Sequence, residues 1–499
     1  MIEKKIYTIE ELKDVPLFEL RLLLRELGGK PGTKNISKIK EEIIAIQSGK
    51  LIPKPSNRGR KPKISPSDKE MLTDEKAGNE KIEGDTKQEK TAEYLPFYKR
   101  GYSDKIYQSA NAYVPLTLRV CDIEGENISE VIIAEGVLEI LPDGDGYLRT
   151  YEYGINRKEF HLDKKIIKTY ELLTGDYIVG YAVNQEAKSE YLVYEITQIN
   201  GIDRESFVRN EDFDKLFAVY PFSKLFSSED NSNTIRSLDL ICPIAKGQRA
   251  LIVAPSGVGK TTLVKEMAQS ISEYGENLHL ITLLLDTTPE EISDFSQNIK
   301  TGELVVAPFD MHSLLKVKQV ELSIERAKRL VENGKDVVVL FDSLSKLVRA
   351  YNCLFCNDLA ENLDKVDLQS VINTKKIFAS ARKIKQGGSL TIIASLSADD
   401  NLFDKTLLRE FLEFANAKII LSKTLFNQFV FPALDIFNSC TTKCELILSQ
   451  EELIAERKIK TKLKQNERAT EIVFEMIKRS KNNLELAKKL DDWLKSILQ

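Results

Sequence analysis

A glycine-rich segment at residues 254–261 has the residue types and spacing of a phosphate-binding loop. It reads Ala254-Pro-Ser-Gly-Val-Gly-Lys-Thr261, follows the apolar run Ala250-Leu-Ile-Val-Ala254 and opens a helical pattern, the context that such a loop requires. Backbone amides would surround the phosphates, Lys260 would meet the β- and γ-phosphates, and Thr261 would hold Mg²⁺. The predicted nucleotide-binding residues are Ser256, Gly257, Val258, Gly259, Lys260, Thr261 and Thr262.

A second candidate is Asp342, which follows the apolar run Val337-Val-Val-Leu-Phe341. An aspartate at the carboxyl end of a buried strand can organise Mg²⁺ beside a phosphate loop, or it can cap the helix that follows. The glycine-rich loop favours the metal role. We therefore predict that Lys260 and Asp342 carry the catalytic chemistry, and that Thr261 and Asp342 bind Mg²⁺ beside ATP.

These side chains need a sheet to bring them together. Between residues 206 and 450, apolar runs rich in β-branched residues alternate with helical stretches, which predicts strands buried on both faces of a mostly parallel sheet. The runs begin at Ala250, Leu280, Val337, Leu390 and Lys418. The sequence therefore predicts an α/β ATP-binding domain over 206–450, followed by a charged helical segment over 451–499.

The preceding part of the chain has three different patterns. Residues 94–205 contain short alternating runs such as Gly136-Val-Leu-Glu-Ile-Leu141, which predict a small β-barrel. Residues 1–49 predict a small helical module and residues 50–93 a disordered, charged linker. In the linker, Arg58-Gly-Arg-Lys-Pro-Lys63 could contact a DNA minor groove, although a solvated basic stretch is the favoured interpretation.

The composition is that of a globular protein too long for one hydrophobic core. The 499 residues are 42% apolar and carry a formal net charge of −4, so nucleic-acid binding would depend on local patches. The N-terminus lacks a secretion signal and no apolar run is long enough to cross a membrane, which predicts a cytoplasmic protein. The pairs Cys353/Cys356 and Cys440/Cys444 have zinc-site spacing, but scattered reduced thiols are favoured.

Several motifs resemble those of the transcription termination factor Rho family. The similarity lies in Ile235-Arg-Ser-Leu-Asp-Leu-Ile-Cys-Pro-Ile-Ala-Lys-Gly-Gln-Arg-Ala-Leu-Ile-Val-Ala-Pro255, in Lys335-Asp-Val-Val-Val-Leu-Phe-Asp-Ser343 and in Val430-Phe-Pro-Ala-Leu-Asp435. Upstream, Gly136-Val-Leu-Glu-Ile-Leu-Pro-Asp-Gly144 with Gly146-Tyr-Leu-Arg149 is similar to the family's RNA-binding barrel. The N-terminal helices resemble those of the family as well.

The resemblance implies a multidomain fold: an N-terminal helical module, an OB/cold-shock-like β-barrel and an α/β RecA-like P-loop ATPase core, assembled as a homohexameric ring. It implies that Tyr147, Arg149 and Tyr191 bind single-stranded RNA, with aromatic rings stacking on bases. Phe431 would bind the nucleotide. ATP and Mg²⁺ would be the cofactors, and the RNA polymerase elongation complex would be a partner.

Some positions depart from the family pattern. Thr287 stands where the family has the glutamate that orients the attacking water, and Thr442 stands where it has an arginine finger. Such groups contribute roughly 10²–10⁴-fold and 10³–10⁵-fold to the rate, respectively. Glu290 and Lys443 are nearby residues that could substitute. In the loop over residues 397–402, Leu402 replaces a pore lysine.

The sequence therefore supports two main functions. The first is a Rho-like transcription termination factor that binds nascent RNA and ATP in a ring and couples ATP use to RNA translocation and transcript release. The alternative is a hydrolysis-impaired paralogue that binds RNA and ATP as a regulator or ring subunit. A scaffold tethered to DNA through the basic linker is a third and weaker hypothesis. Whether ATP is hydrolysed stays open from the sequence.

Overall fold

The structure is a computed structural model that describes residues 131–149, 160–185, 190–226, 230, 232–275, 277–355, 366–464 and 466–498. The helical module predicted over 1–49, the linker over 50–93 with its basic stretch, and residues 94–130 of the predicted barrel lie outside the described residues. Among the helices within the described ranges, none combines the length and apolarity needed to cross a membrane.

The first described part is a six-stranded barrel. Its elements are β1 (Val131–Ile140), β2 (Gly146–Arg149), β3 (Phe160–Leu162), α1 (Lys164–Thr169), β4 (Tyr177–Gln185), β5 (Glu190–Ile199) and β6 (Ile202–Asp203). The strand order is β3-β2-β1-β4-β5-β6, and a parallel pairing of β3 with β5 closes the sheet. Leu138, Leu148 and Val193 fill the interior because alternate residues of a strand face the same side. The small β-barrel expected from the sequence is confirmed over these residues.

The second part is built on a nine-stranded sheet. Six parallel neighbours run in the order β10 (Glu303–Pro308), β9 (Leu278–Thr287), β11 (Asp336–Asp342), β13 (Ser389–Ser397), β8 (Arg249–Ala254) and β14 (Ala417–Ile420). Three short antiparallel strands complete the sheet: β7 (Ala218–Val219), β12 (Arg382–Ile384) and β15 (Cys440–Thr441). Because parallel strands end at the same edge, the loops after β8, β9, β11 and β13 converge there.

Helices cover both faces of this sheet. One face carries α2 (Asn233–Ile241), α3 (Lys260–Tyr274), α4 (Pro289–Asn298), α10 (Gln450–Lys462), α11 (Ala469–Arg479) and α12 (Asn483–Leu498). The other carries α5 (Ser313–Glu332), α6 (Leu344–Phe355), α7 (Leu368–Ala379) and α8 (Leu402–Leu412), and the short α9 (Lys423–Asn427) follows β14. Ile252 of β8 and Ile459 of α10 belong to one hydrophobic cluster. The predicted C-terminal helical segment is thus packed into the core.

Helix α5 holds the barrel against the sheet domain. Arg326 donates from Nη1 to Oδ1 of Asn200 at 2.9 Å, and Lys318 Nζ lies 3.1 Å from Oε1 of Glu139. Gly175, in the turn before β4, packs directly on the backbone of Glu325. The barrel and the nine-stranded sheet therefore share one helix as their common support.

The close approach at Gly175 predicts a sensitive position. Gly175 has a φ of +95°, and a Cβ there would lie 2.4 Å from the carbonyl carbon of Glu325. Gly175→Ala is expected to lower the free energy of unfolding by about 2 kcal/mol more than Gly201→Ala, since overpacking adds to the backbone strain. Gly201 is a matched control because its φ is +80° and its Cβ would meet open space. Urea midpoints of the two variants measure the difference, and equal midpoints would contradict the prediction.

Candidate functional site

The phosphate loop lies between β8 and α3, as the sequence predicts. The buried strand β8 ends at Ala254 and the helix begins at Lys260. Gly257 has a φ of +77° and Gly259 a φ of +91°, values that side-chain-bearing residues rarely adopt. The two glycines therefore allow the tight backbone path on which a phosphate loop depends.

Lys260 folds back over this loop. Its Nζ donates to the carbonyl oxygens of Ala254 at 2.9 Å and Pro255 at 3.1 Å. Burial lowers the pKa of Lys260 below its usual value, although Asp399 and, less strongly, Asp342 act in the opposite direction. The ammonium group thus lies inside the loop, where it can exchange a carbonyl oxygen for a phosphate oxygen.

Thr261 and Asp342, predicted to hold Mg²⁺, are in direct contact. Thr261 donates from Oγ1 to Oδ2 of Asp342 at 2.9 Å, and Ser395 donates to Oδ1 at 2.5 Å. The helix-capping alternative for Asp342 does not apply, because Ser343 accepts the hydrogen bond from the Lys346 amide. A hydroxyl and a carboxylate next to a phosphate loop are oxygen ligands that suit Mg²⁺. The donor set therefore fits the predicted ion.

One contact in this loop was missed by sequence reasoning. Asp399, just after β13, accepts hydrogen bonds from the backbone amide of Ser256 at 2.8 Å and from its hydroxyl. These two hydrogen bonds hold the pKa of Asp399 below its ordinary value, and the bond from the hydroxyl has the larger effect. A carboxylate from another strand therefore occupies part of the predicted phosphate-binding loop.

The barrel residues predicted to bind RNA differ in burial and in orientation. Tyr147 lies beside His161, with ring centroids 5.4 Å apart, and the Arg149 guanidinium lies 5.3 Å from the Tyr147 ring. Arg149 is buried and donates from Nε to Glu139 at 2.6 Å. Burial favours a higher pKa for Glu139, but its bonds to Arg149 and Lys318 outweigh it and lower that pKa. Arg149 thus packs beside Tyr147 and does not project toward solvent.

Tyr191 faces a different side from Tyr147. Its ring packs on Phe160 at a centroid distance of 5.7 Å, against the barrel interior, whereas Tyr147 alternates with the interior residue Leu148. Strand alternation thus places the two rings on opposite sides of the sheet, and the RNA-binding role of each stays a prediction. Tyr181 and Tyr194 form a stacked pair with centroids 6.5 Å apart, which the sequence reasoning missed. The signal was available, because Tyr194 follows the interior residue Val193 in β5 and so lies on the outer face of that strand.

Comparison with known proteins matches both parts. Residues 134–205 match the Rho termination factor RNA-binding domain, and residues 234–441 match the nucleotide-binding domain of the ATP synthase alpha/beta family. Transcription termination factor Rho of Borreliella burgdorferi is 38% identical over 370 residues, covering 72% of this chain and 71% of that protein. This chain belongs to the Rho family. The Rho proteins of Cereibacter sphaeroides and Escherichia coli are each 37% identical, covering 64% and 65% of this chain and 77% and 79% of their own.

In this Rho-family chain, the substituted position Thr287 lies at the end of β9. Leu284 pairs in register with Asp342, so Thr287 lies three residues farther along, toward the loops at the sheet edge. Its side chain is 2% exposed, and among the described residues its hydroxyl has no hydrogen-bond partner. Glu291 is used in the capping box of α4 with Thr288, and Glu290 is exposed. Glu291 is therefore engaged in capping, and a catalytic role for Glu290 stays a prediction.

The other substituted position of the Rho-family chain is exposed. Thr442 donates its amide to the carbonyl of Asn416 at 2.8 Å, while Lys443 Nζ lies 3.3 Å from the centroid of the Tyr220 ring of its own chain. Phe431, expected to bind the nucleotide, is 58% exposed, and its ring packs edge-on against Phe426 at 5.5 Å. An exposed ring with one supported edge is suited to stacking on a base.

The cysteines of the predicted pairs have different surroundings. Cys353 and Cys440 are exposed and Cys444 is partly buried, while Cys356 lies outside the described residues. Within the described ranges, no cluster of three or more His, Cys, Asp or Glu side chains has an arrangement that could hold a metal ion. The role of the cysteine pairs stays a prediction.

Proposed function

We propose that this chain is a transcription termination factor that binds nascent single-stranded RNA through its barrel and ATP with Mg²⁺ at its phosphate loop, and that it uses ATP for RNA translocation and transcript release. The observation that carries the proposal is the combination, in one Rho-family chain, of a Rho RNA-binding domain with an assembled Lys260–Thr261–Asp342 constellation. Phosphoryl transfer depends mainly on positioning and charge stabilisation, and these residues provide both.

At the nucleotide site, the amides of residues 256–262 would bind the phosphate oxygens, and the Lys260 ammonium would neutralise the β- and γ-phosphates. Thr261 and Asp342 would hold Mg²⁺, which would supply positive charge that stabilises the phosphate oxygens. Phe431 would stack on the base. In this proposal Lys260 and Asp342 are the catalytic residues.

At the RNA surface, the proposal assigns the stacking role first to Tyr147. The ring lies beside His161 and the Arg149 guanidinium, so its orientation is restricted before RNA arrives. Preorganised groups bind with a smaller loss of conformational entropy. Arg149 and Tyr191 would act mainly through the barrel, by holding Tyr147 and by packing on Phe160.

A tyrosine substitution tests the RNA surface. Tyr147→Ala is expected to weaken single-stranded RNA binding by about 1–3 kcal/mol, or roughly 5- to 150-fold in Kd, the range for loss of one base-stacking ring. Fluorescence anisotropy with a labelled oligopyrimidine at fixed salt measures the change. Tyr274→Ala is the matched control, because Tyr274 is exposed on α3, outside the barrel. Equal affinities for the two variants would remove Tyr147 from the RNA site.

The proposal extends to assembly and partners by family membership. It includes a homohexameric ring, action on the RNA polymerase elongation complex and a cytoplasmic location, and a DNA contact through Arg58-Gly-Arg-Lys-Pro-Lys63 is its least supported part. Transcript release in a purified transcription reaction tests the function directly. Release that needs ATP and is absent with Lys260→Ala supports the proposal. RNA and ATP binding without release would instead support the hydrolysis-impaired paralogue.

A further inference from the structure

The contact between Ser256 and Asp399 joins two loops at the carboxyl edge of the sheet. The amide of Ser256 lies 2.8 Å from Oδ1 of Asp399, and the Ser256 hydroxyl donates to the other carboxylate oxygen. Ser256 belongs to the phosphate loop, and its amide is one of the donors that such loops direct at anions. In this structure the Ser256 amide instead donates to the carboxylate of Asp399.

The charge of Asp399 also acts on Lys260. Among the carboxylates that oppose the lowering of the Lys260 pKa, Asp399 acts most strongly, ahead of Asp342. A bound phosphate would need the same ammonium group, and two negative charges a few ångströms apart repel each other. Asp399 would therefore repel a phosphate bound at the same ammonium group.

The residues on either side of Asp399 are fixed. The Ala398 amide donates to the carbonyl of Ala254 at 2.9 Å, which ties the loop to the end of β8. Asn401 caps α8 by accepting the amide of Asp404 at 2.7 Å. Asp399 lies between these two anchors, so displacing its carboxylate changes the short segment that leads into α8.

We propose that Asp399 is an internal anion that closes the phosphate loop when no nucleotide is bound, and that the terminal phosphate of ATP displaces it from Ser256. The displacement transmits the presence of ATP to the segment of residues 399–401 and to α8. This inference rests on the proposed function, because it takes ATP as the ligand of the loop. ATP should displace Asp399 more effectively than ADP does, because the third phosphate carries additional negative charge.

The experiment removes the charge of Asp399 with little change in shape. Asp399→Asn is expected to tighten binding of a non-hydrolysable ATP analogue about tenfold, and binding of ADP by a smaller factor, because the repulsion on the terminal phosphate is relieved. Asp400→Asn is the matched control. Asp400 is exposed and pairs with Lys405 at 3.0 Å, and no change in either affinity is expected for it.

Competition with a fluorescent nucleotide in the presence of Mg²⁺ gives all the dissociation constants. An unchanged or weaker affinity of Asp399→Asn for the ATP analogue would overturn the inference while leaving the proposed function intact. If neither the wild-type chain nor any variant binds nucleotide although all unfold cooperatively, the proposed function itself fails.

Hydrogen exchange of the full-length chain provides a second readout. Amide exchange at Ala398 and Asp404, the hydrogen-bonded amides on either side of Asp399, is expected to accelerate severalfold in the wild-type protein when the ATP analogue is added, because the segment between them loses its contact with Ser256. In Asp399→Asn the exchange should be fast already and respond less. Exchange that stays constant in the wild-type protein at saturating analogue would show that the carboxylate is not displaced.

Discussion

Replacing Lys260 with alanine is expected to raise the dissociation constant for Mg²⁺–ATP about 100-fold while the protein stays folded. The ammonium is the cation inside the phosphate loop, held by the carbonyls of Ala254 and Pro255. A hydrogen bond to a charged partner contributes about 1.5–3 kcal/mol, and more than one phosphate oxygen would be involved. Titration with a fluorescent ATP analogue measures the loss, and a thermal melt verifies the fold.

A second lysine of the same helix is the control for this prediction. Lys265 pairs with Asp294 at 2.6 Å, so Lys265→Ala removes the same side chain from α3 without touching the loop. Its affinity for ATP should stay within twofold of the wild type. A loss of less than threefold for Lys260→Ala would mean that nucleotide binds elsewhere on the chain.

Placing a carboxylate at position 287 is expected to raise the rate of ATP hydrolysis by about 100-fold or more. Thr287 lies toward the loops at the end of β9, beyond the register position of Asp342, and its hydroxyl cannot accept a proton as a carboxylate can. General-base assistance contributes roughly 10²–10⁴-fold. RNA-stimulated phosphate release by Thr287→Glu, compared with the wild-type chain, measures the gain.

Thr287→Gln is the matched variant, because glutamine has the size of glutamate without its basicity. It should hydrolyse ATP no faster than the wild-type protein. Because the site is 2% exposed, the melting temperatures of both variants show whether the longer side chain is accommodated. A folded Thr287→Glu protein with unchanged turnover would place the limiting defect elsewhere, with Thr442 as the next position to restore.

The nucleotide site could be predicted from the sequence because its parts are local. A buried strand, a loop with glycines at the two positive-φ positions and a helix fix the position of Lys260 and Thr261 within a few residues. Asp342 could be added because parallel strands end at a common edge, which brings residues at strand ends together. The 2.9 Å contact between Thr261 and Asp342 confirms that they meet.

Contacts between distant segments could not be predicted in this way. Ser256 and Asp399 are 143 positions apart, and no motif or repeat in the sequence indicates that they are in contact. From the sequence, Arg149 is expected to be a surface cation beside Tyr147. In the structure it is buried and its Nε donates to Glu139. A single strand does not show which face becomes the barrel interior, and the orientation of Tyr191 follows from closure of β3 against β5.

Helix α5 joins the barrel to the turn that contains Thr287, and this has a mechanical consequence for the proposed translocation of RNA. Near one end, Lys316 donates to the carboxylate of Asp286, the neighbour of Thr287, while Lys318 two residues later bonds Glu139 of the barrel. Tension in an RNA strand held at Tyr147 would load Arg149, Glu139 and Lys318 in series. The load would reach the first turns of α5, where Lys316 contacts Asp286, the residue before Thr287.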